Sequence, residues 1–217
     1  MSMAPERAAG PRPTVVFDFA GVVFNWQPLA LLQQVLPQHA VDLASARHWA
    51  AEIFQGYSGD WAEFDRGTVA PADLVQRIAR RTGLAPAAVQ AVVEAVPQAL
   101  QPLPGTVALI ERLHARGRPL YFLSNMPAPY ADHLVRTHAF LRLFSDGVFS
   151  ARVGLIKPER AIFDAAAQRF AVPPADLLFF DDVHANVLAA RAAGWQARCF
   201  EHADGAAADL HGLGLLD

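Results

Sequence analysis

The rhythm of apolar and polar positions changes twice along this chain. Near the start, Val15-Val16-Phe17 is a short apolar run that reads as a buried strand. It delivers a lone carboxylate, Asp18, to a glycine turn, Phe19-Ala20-Gly21-Val22-Val23. From Phe24 to Gln101 no strand-like run occurs. Aromatic residues (Trp26, Trp49, Phe54, Tyr57, Trp61, Phe64) crowd the first half of that stretch. Pro71 and Pro86 then open two helical patterns, striped by Leu74, Val75 and Ile78 and by Val89, Val92 and Val93. From Leu103 onward short apolar runs alternate with amphipathic stretches. Pro104-Gly105 opens a helix with Val107, Ile110 and Leu113 on one face, and Gly117 ends it. Pro119 to Leu123 is a strand, Ala131 to His138 a helix, and Val148-Phe149 a short strand. Ile162, Phe163 and Ala166 mark another helix, Leu177 to Phe180 a buried strand, Val187 to Ala193 a helix, and Gln196 to Phe200 a last strand. Strands alternating with helices predict a parallel sheet covered by helices, an α/β fold.

The helix-only stretch is too long to be a connection, since a crossover between parallel strands needs only about 10 to 12 residues. It predicts an inserted helical bundle at 25–102, dividing an α/β core made of 14–24 and 103–217. Residues 1–13 read as a disordered lead-in, and the alanine-rich tail near Gly205 to Ala208 as low complexity. Because the insertion begins just after Asp18, it should hang over the carboxyl ends of the strands, where open α/β sheets bind ligands.

Composition narrows the function. With 217 residues, 53% of them hydrophobic, the chain can bury a large core. A formal charge of −3 argues against nucleic acid as a partner, and no apolar run approaches the roughly 18 residues of a membrane span. The single cysteine, Cys199, excludes an intrachain disulfide and is expected to pack as a small hydrophobe near a strand end. The cytoplasm is the simplest address, and the protein is expected to be a monomer or homodimer.

Four polar sites fall at or just beyond predicted strand ends: Asp18, Ser124-Asn125, Lys157 and Asp181-Asp182. Singly, each has an ordinary explanation as a cap, turn or solvated residue. The adjacent acids are harder to dismiss, because two carboxylates ending so apolar a strand repel each other unless a cation or solvent relieves them.

In this order, with the insertion after the first, the stretches VVFDFAGVVFNW, LYFLSN, GLIKP and LLFFDDVHAN resemble the haloacid dehalogenase superfamily of hydrolases. The resemblance runs from Thr14 to about Phe200. It implies a Rossmann-like three-layer parallel-sheet core with an α-helical cap, and Asp18 as a nucleophile toward a small phosphorylated substrate. It makes Ser124 and Asn125 phosphate binders and Lys157 the charge-neutralising lysine. Asp18, Asp181, Asp182 and the Ala20 carbonyl become the Mg²⁺ site, with Asp182 the direct ligand and Asp181 acting mainly through water. Exposed N–H groups near Gly21 and Asn125 are expected to add donors to phosphate. Trp26, nearest the hinge, is the expected substrate contact in the cap, while Phe54, Tyr57 and Trp61 read as the core of the bundle or as further wall, and Asn186 as a cap at a helix start or a residue that orients the metal shell.

Most phosphatases of the superfamily carry a second Asp where this chain has Ala20, to protonate the leaving alcohol. Loss of such an acid typically costs about 10² to 10⁴ in rate. A branch resembling glucose-1-phosphate phosphatases also has a small residue there, which favours a sugar 1-phosphate with its readier leaving group. Two alternatives stand beside this. 2-Haloacid dehalogenation needs neither acid nor metal, but its resembling enzymes carry a Tyr at the Ala20 position and an Arg early in the cap. A non-catalytic domain binding a phosphorylated metabolite would explain Ala20, but not retention of Asp18, Lys157 and both acids.

Overall fold

A computed structural model describes residues 12–217, so most of the expected lead-in lies outside the described residues; Pro13, at its end, is buried ahead of the first strand. Strand β1 (Thr14–Phe17) is followed by five helices: α1 (Pro28–Val35), α2 (Leu43–Phe54), α3 (Gly59–Arg66), α4 (Pro71–Thr82) and α5 (Pro86–Ala99). The alternating part then runs α6 (Pro104–Ala115), β2 (Leu120–Ser124), α7 (Ala128–Thr137), β3 (Asp146–Phe149), α8 (Ser150–Val153), α9 (Arg160–Phe170), β4 (Leu177–Asp181), α10 (His184–Ala192), β5 (Gln196–Cys199) and α11 (Ala203–Gly212).

The five strands form one parallel sheet in the order β3-β2-β1-β4-β5. Chain order reverses direction at β1, so the switch point of the sheet lies at the strand that ends in Asp18. Period-two alternation sends neighbouring side chains to opposite faces. Val15, Phe17, Leu178 and Phe180 join a core with α6, α7, α11 and the helices of the 28–99 segment. Val16, Leu177 and Phe179 join a second core with Ile162 and Phe163 of α9 and Val187 of α10. Both faces being covered explains why the strands read as unbroken apolar runs.

Local signals set most helix ends. Pro71 and Pro86 occupy first turns, Gly83 closes α4 at φ 76°, and α2 starts on a reciprocal box in which Ser45 N–H donates to Asp42 Oδ1 (2.7 Å) and Asp42 N–H to Ser45 Oγ (3.0 Å). Two expectations are corrected. The alanine-rich tail is not low-complexity coil but α11, which buries Ala206 and Leu210 against the core and starts where Gly205 N–H donates to His202 Nδ1 (3.0 Å). Its two glycines and small residues conceal a helix that tertiary packing, rather than propensity, holds in place. Cys199 does end a strand, but it is exposed, because β5 is an edge strand. Among the described residues no helix is long and apolar enough to cross a membrane.

Since Leu210 is fully buried, Leu210→Ala should destabilise the protein by about 2–5 kcal/mol, read as a fall in Tm in a thermal melt. An unchanged Tm would show that α11 is not docked.

Candidate active site

Three adjacent strands deliver the site. β1 ends one residue before Asp18, β2 ends in Ser124, and β4 ends in Asp181, while the loop after α8 brings in Lys157. Parallel pairing of β1 with both β2 and β4 puts these termini at one edge. There Lys157 Nζ lies 2.6 Å from Asp181 Oδ2 and 2.8 Å from Asp18 Oδ1, with all three side chains at least nine-tenths buried. The contact to Asp181 is a hydrogen bond. The contact to Asp18 is ionic and off hydrogen-bond angles, so Asp18 Oδ1 is buried without a donor.

The braces around this trio come from the residues beside it. Asn125 spends its side chain on the Lys157 backbone, donating from Nδ2 to the Lys157 carbonyl (2.9 Å) and accepting on Oδ1 from the Lys157 N–H (2.8 Å). Asp181 accepts from Val183 N–H (2.8 Å) and from Asn186 Nδ2 (3.0 and 3.1 Å) as well as from Lys157, leaving its two oxygens nearly saturated. Asp182 is exposed, and its carboxylate accepts no hydrogen bond from another described residue. Carboxylate oxygens of Asp18, Asp181 and Asp182 all lie within 4.8 Å of one another, and the Ala20 carbonyl beside them accepts no hydrogen bond among the described residues. One lysine does not neutralise this cluster, so the arrangement suits a divalent cation bound through oxygen.

Several expected donors take other positions. The Gly21 N–H is not free for a ligand, because it donates to the Phe24 carbonyl (2.8 Å) within the turn. Gly21 matters instead through its missing side chain: its φ is 83°, and a Cβ there would collide with the Asp182 carboxylate. The N–H groups of Phe19, Ala20 and Asn125 make no backbone hydrogen bond among the described residues and are the donors beside Asp18. The Asn125 side chain positions Lys157 rather than reaching outward. Ser124 is wholly buried, its hydroxyl donating to the Asn125 carbonyl at 3.5 Å.

Above the trio is a cavity of about 410 Å³. Its floor includes Asp18, Ala20, Asn125, Lys157 and Asp182, and its walls come from both parts of the chain. Trp26, Tyr57, Trp61, Val96 and Leu100 belong to the helical segment; Met126 and Tyr130 follow β2. Trp26 Nε1 donates to the Tyr57 hydroxyl (2.6 Å), closing one side. Phe54 belongs to the core rather than the wall, 2% exposed with its ring centroid 4.6 Å from that of Trp61. One further wall residue went unnoticed in the sequence: Asp65, 5% exposed near the end of α3. The signal was there, since Asp65 follows Trp61 by four residues and so shares the apolar face of α3.

Electrostatics follow from burial. It pushes the Asp18 carboxyl up to about 7, Asp181 and Asp182 adding to the rise and Lys157 opposing it. Burial likewise lifts Asp65 to about 8, and partial desolvation of the carboxylate, helped by Asp181, lifts Asp182 to about 6. Burial works against the Lys157 ammonium, but Asp18 and Asp181 outweigh it and raise its pKa.

The haloacid dehalogenase-like hydrolase family matches residues 13–194. A sesquiterpene phosphatase, astK, of Aspergillus oryzae is 29% identical over 180 residues, spanning 82% of this chain and 85% of that protein. Among solved structures, a HAD family enzyme from Bacteroides thetaiotaomicron, determined with magnesium and inorganic phosphate, superposes with a TM-score of 0.68 at 20% identity, covering 88% of this chain and 95% of that one. An L-2-haloacid dehalogenase superposes with a TM-score of 0.67 at 22% identity, covering 85% and 84%.

Three carboxyls with raised folded-state values bind protons that the unfolded chain releases near its ordinary 3.8. Their contribution to stability is full below about 4 and is lost as pH rises through about 6 to 8. With chelator present, Asp65→Asn, which cannot ionise, should therefore gain Tm over the wild type increasingly between about pH 5 and pH 8. A difference independent of pH would contradict this electrostatic picture.

Proposed function

The chain belongs to the haloacid dehalogenase-like hydrolases, and from that premise we propose that it is a magnesium-dependent phosphomonoesterase working through an aspartyl-phosphate on Asp18. The observation that supports this reading best is the cluster of three acids around a single buried lysine. An anionic phosphate approaches such a floor only with a cation present. Asp18, Asp182 and the Ala20 carbonyl would hold Mg²⁺, with Asp181 reaching it through water. The ion, when bound, supplies positive charge shared between nucleophile and phosphate.

The chain's own groups take the remaining work. Asp18 attacks phosphorus and holds the phosphoryl group until water displaces it, which divides one difficult hydrolysis into two displacements. Lys157, kept charged by Asp18 and Asp181, faces the equatorial phosphate oxygens. The unengaged N–H groups of Phe19, Ala20 and Asn125 add donors where charge develops. Residues 25–102 would act as the cap that sets the substrate, over a core of 14–24 and 103–217.

For the organic part of that substrate, the walls favour an apolar group. Val96, Leu100 and Met126 offer apolar surface without strong partners for hydroxyls. A terpenyl or similar monophosphate fits such walls, and the Aspergillus oryzae relative is named for a sesquiterpene substrate. Ala20 favours a second reading, a sugar 1-phosphate, whose anomeric oxygen leaves without strong protonation; Trp26 and Tyr57 would then stack on the ring. Dehalogenation fits less well: no arginine lines the cavity among the described residues, and the acid cluster would repel a carboxylate substrate.

A panel of isoprenoid monophosphates, sugar 1-phosphates and aryl phosphates, run with Mg²⁺ and with chelator, tests this. Phosphate release should require Mg²⁺, vanish in Asp18→Asn, and show higher kcat/KM for the apolar esters. Halide release from 2-chloropropionate without metal, and no phosphate release from any ester, would overturn it.

A further inference from the structure

Ala20 leaves the floor of the cavity without a carboxyl free to donate a proton, and among the described residues the one further carboxyl on its walls enters from the helical segment. Among the residues lining the cavity, the acids are Asp18, Asp182 and Asp65. The first two belong to the nucleophile and the cation cluster. Asp65 belongs to neither: among the described residues its carboxyl makes no hydrogen bond and no ion pair, although the residue is 5% exposed. A buried acid without a partner is a cost to folding, so packing does not account for it.

We propose that Asp65 is the general acid and base of the reaction, reaching across the cavity from α3 to do what an acid at position 20 would have done. This inference rests on the phosphomonoesterase reading above. In the first step a carboxylate oxygen of Asp18 bonds to phosphorus, the bond from phosphorus to the ester oxygen breaks, and the Asp65 proton passes to that oxygen. The alcohol departs neutral and Asp65 is left as a carboxylate. In the second step water attacks phosphorus, the bond to Asp18 breaks, and the water's proton goes to Asp65. Phosphate leaves, and both acids return to their starting forms.

The helix end that bears Asp65 is pinned from two sides. Ser150 Oγ donates to the Asp65 carbonyl (2.5 Å) while accepting from Met126 N–H (2.8 Å), tying α3 to the loop that follows β2. Arg66 turns away from the cavity and forms a fork with Glu159 (2.6 and 2.9 Å), two residues beyond Lys157. The backbone that carries Asp65 is therefore fastened to the same loops that hold Asn125 and Lys157, and its side chain lines the cavity that Asp18 floors. Its surroundings also keep it protonated. Burial raises it to about 8, Asp18 adds to the rise, and Lys157 opposes it. Tyr57 and Tyr130 are the other titratable groups that feel its charge. Neither hydroxyl donates to it: Tyr130 donates to the Val93 carbonyl (2.6 Å), and Tyr57 accepts from Trp26.

A general acid is needed in proportion to how poorly the alcohol leaves, and that dependence separates proton donation from a structural role. Wild type and Asp65→Asn are compared, with Mg²⁺, on alkyl phosphates and on dinitrophenyl phosphate, whose phenolate departs unaided. The substitution should cost about 10² to 10⁴ in kcat/KM on alkyl phosphates and less than about tenfold in kcat/KM on dinitrophenyl phosphate, because kcat/KM reports the first displacement alone, while the shared second displacement lowers kcat on both. Turnover of the activated ester also reports that the variant is folded. On alkyl phosphates the alkaline limb of the wild-type kcat/KM profile should be missing from Asp65→Asn, and adding Ala20→Asp to that variant should restore alkyl phosphate hydrolysis. Equal losses of kcat/KM on both ester classes, or no loss on either, would overturn the assignment while leaving the phosphomonoesterase reading intact. A wild type no faster than Asp18→Asn on every ester would overturn both.

Discussion

One buried ammonium holds the site together. Lys157 sits between Asp18 and Asp181 at 2.8 and 2.6 Å, with the ring of Phe179 centred 5.2 Å from its Nζ. Taking three charges out of water is costly, and the cost is tolerable only where geometry and hydrogen bonding are both good. Everything near the trio serves that condition. Asn125 clamps the Lys157 backbone from both ends of its amide, and Asn186 with the Val183 N–H saturates Asp181. Gly21 keeps the space beside Asp182 clear. The balance is incomplete: one lysine faces two carboxylates and a third is left over, so the floor is short of positive charge. A cation and a phosphate together correct that shortage, whereas a bare carboxylate substrate would worsen it.

The walls set a second constraint. The helical segment and the sheet share one apolar core through Phe19, Phe24, Phe64 and Tyr130, and the Ser150 and Arg66 contacts fasten α3 to the loops after β2 and α8. Groups on that segment can thus take part in chemistry as reliably as groups on the sheet. Asp65 gives Ala20 a different meaning. A missing acid on the floor restricts an enzyme to esters that leave easily; an acid supplied from above lifts the restriction and leaves specificity to the shape and apolarity of the walls.

Much of this was legible along the chain, because it depends on local pattern. Asp18 is marked by an apolar run ending in a glycine turn, and Asp181-Asp182 by the uninterrupted Leu177 to Phe180. The α/β alternation is written in runs whose length and spacing survive without tertiary information. What escaped depends on pairings between distant residues. That Asn125 would brace Lys157, 32 residues away, cannot be read from either position. Nor can the fate of the Gly21 N–H, which depends on how tightly the turn closes on Phe24. Helix α11 was hidden by glycine and alanine, since its stability comes from Ala206 and Leu210 meeting the core. Asp65 was visible as an acid on the face of Trp61, but only the position of α3 over the strand ends makes it chemically interesting.

The central claim is that Asp18 carries the phosphoryl group between two displacements. It is tested most directly by quenching the enzyme in acid during steady-state turnover of a phosphate ester and locating modified residues by peptide mass spectrometry. The account predicts one phosphoryl group on the peptide containing Asp18, absent from Asp18→Asn and from enzyme quenched before substrate is added. Hydrolysis proceeding at full rate with Asp18 unmodified, under conditions that preserve acyl phosphates, would contradict it.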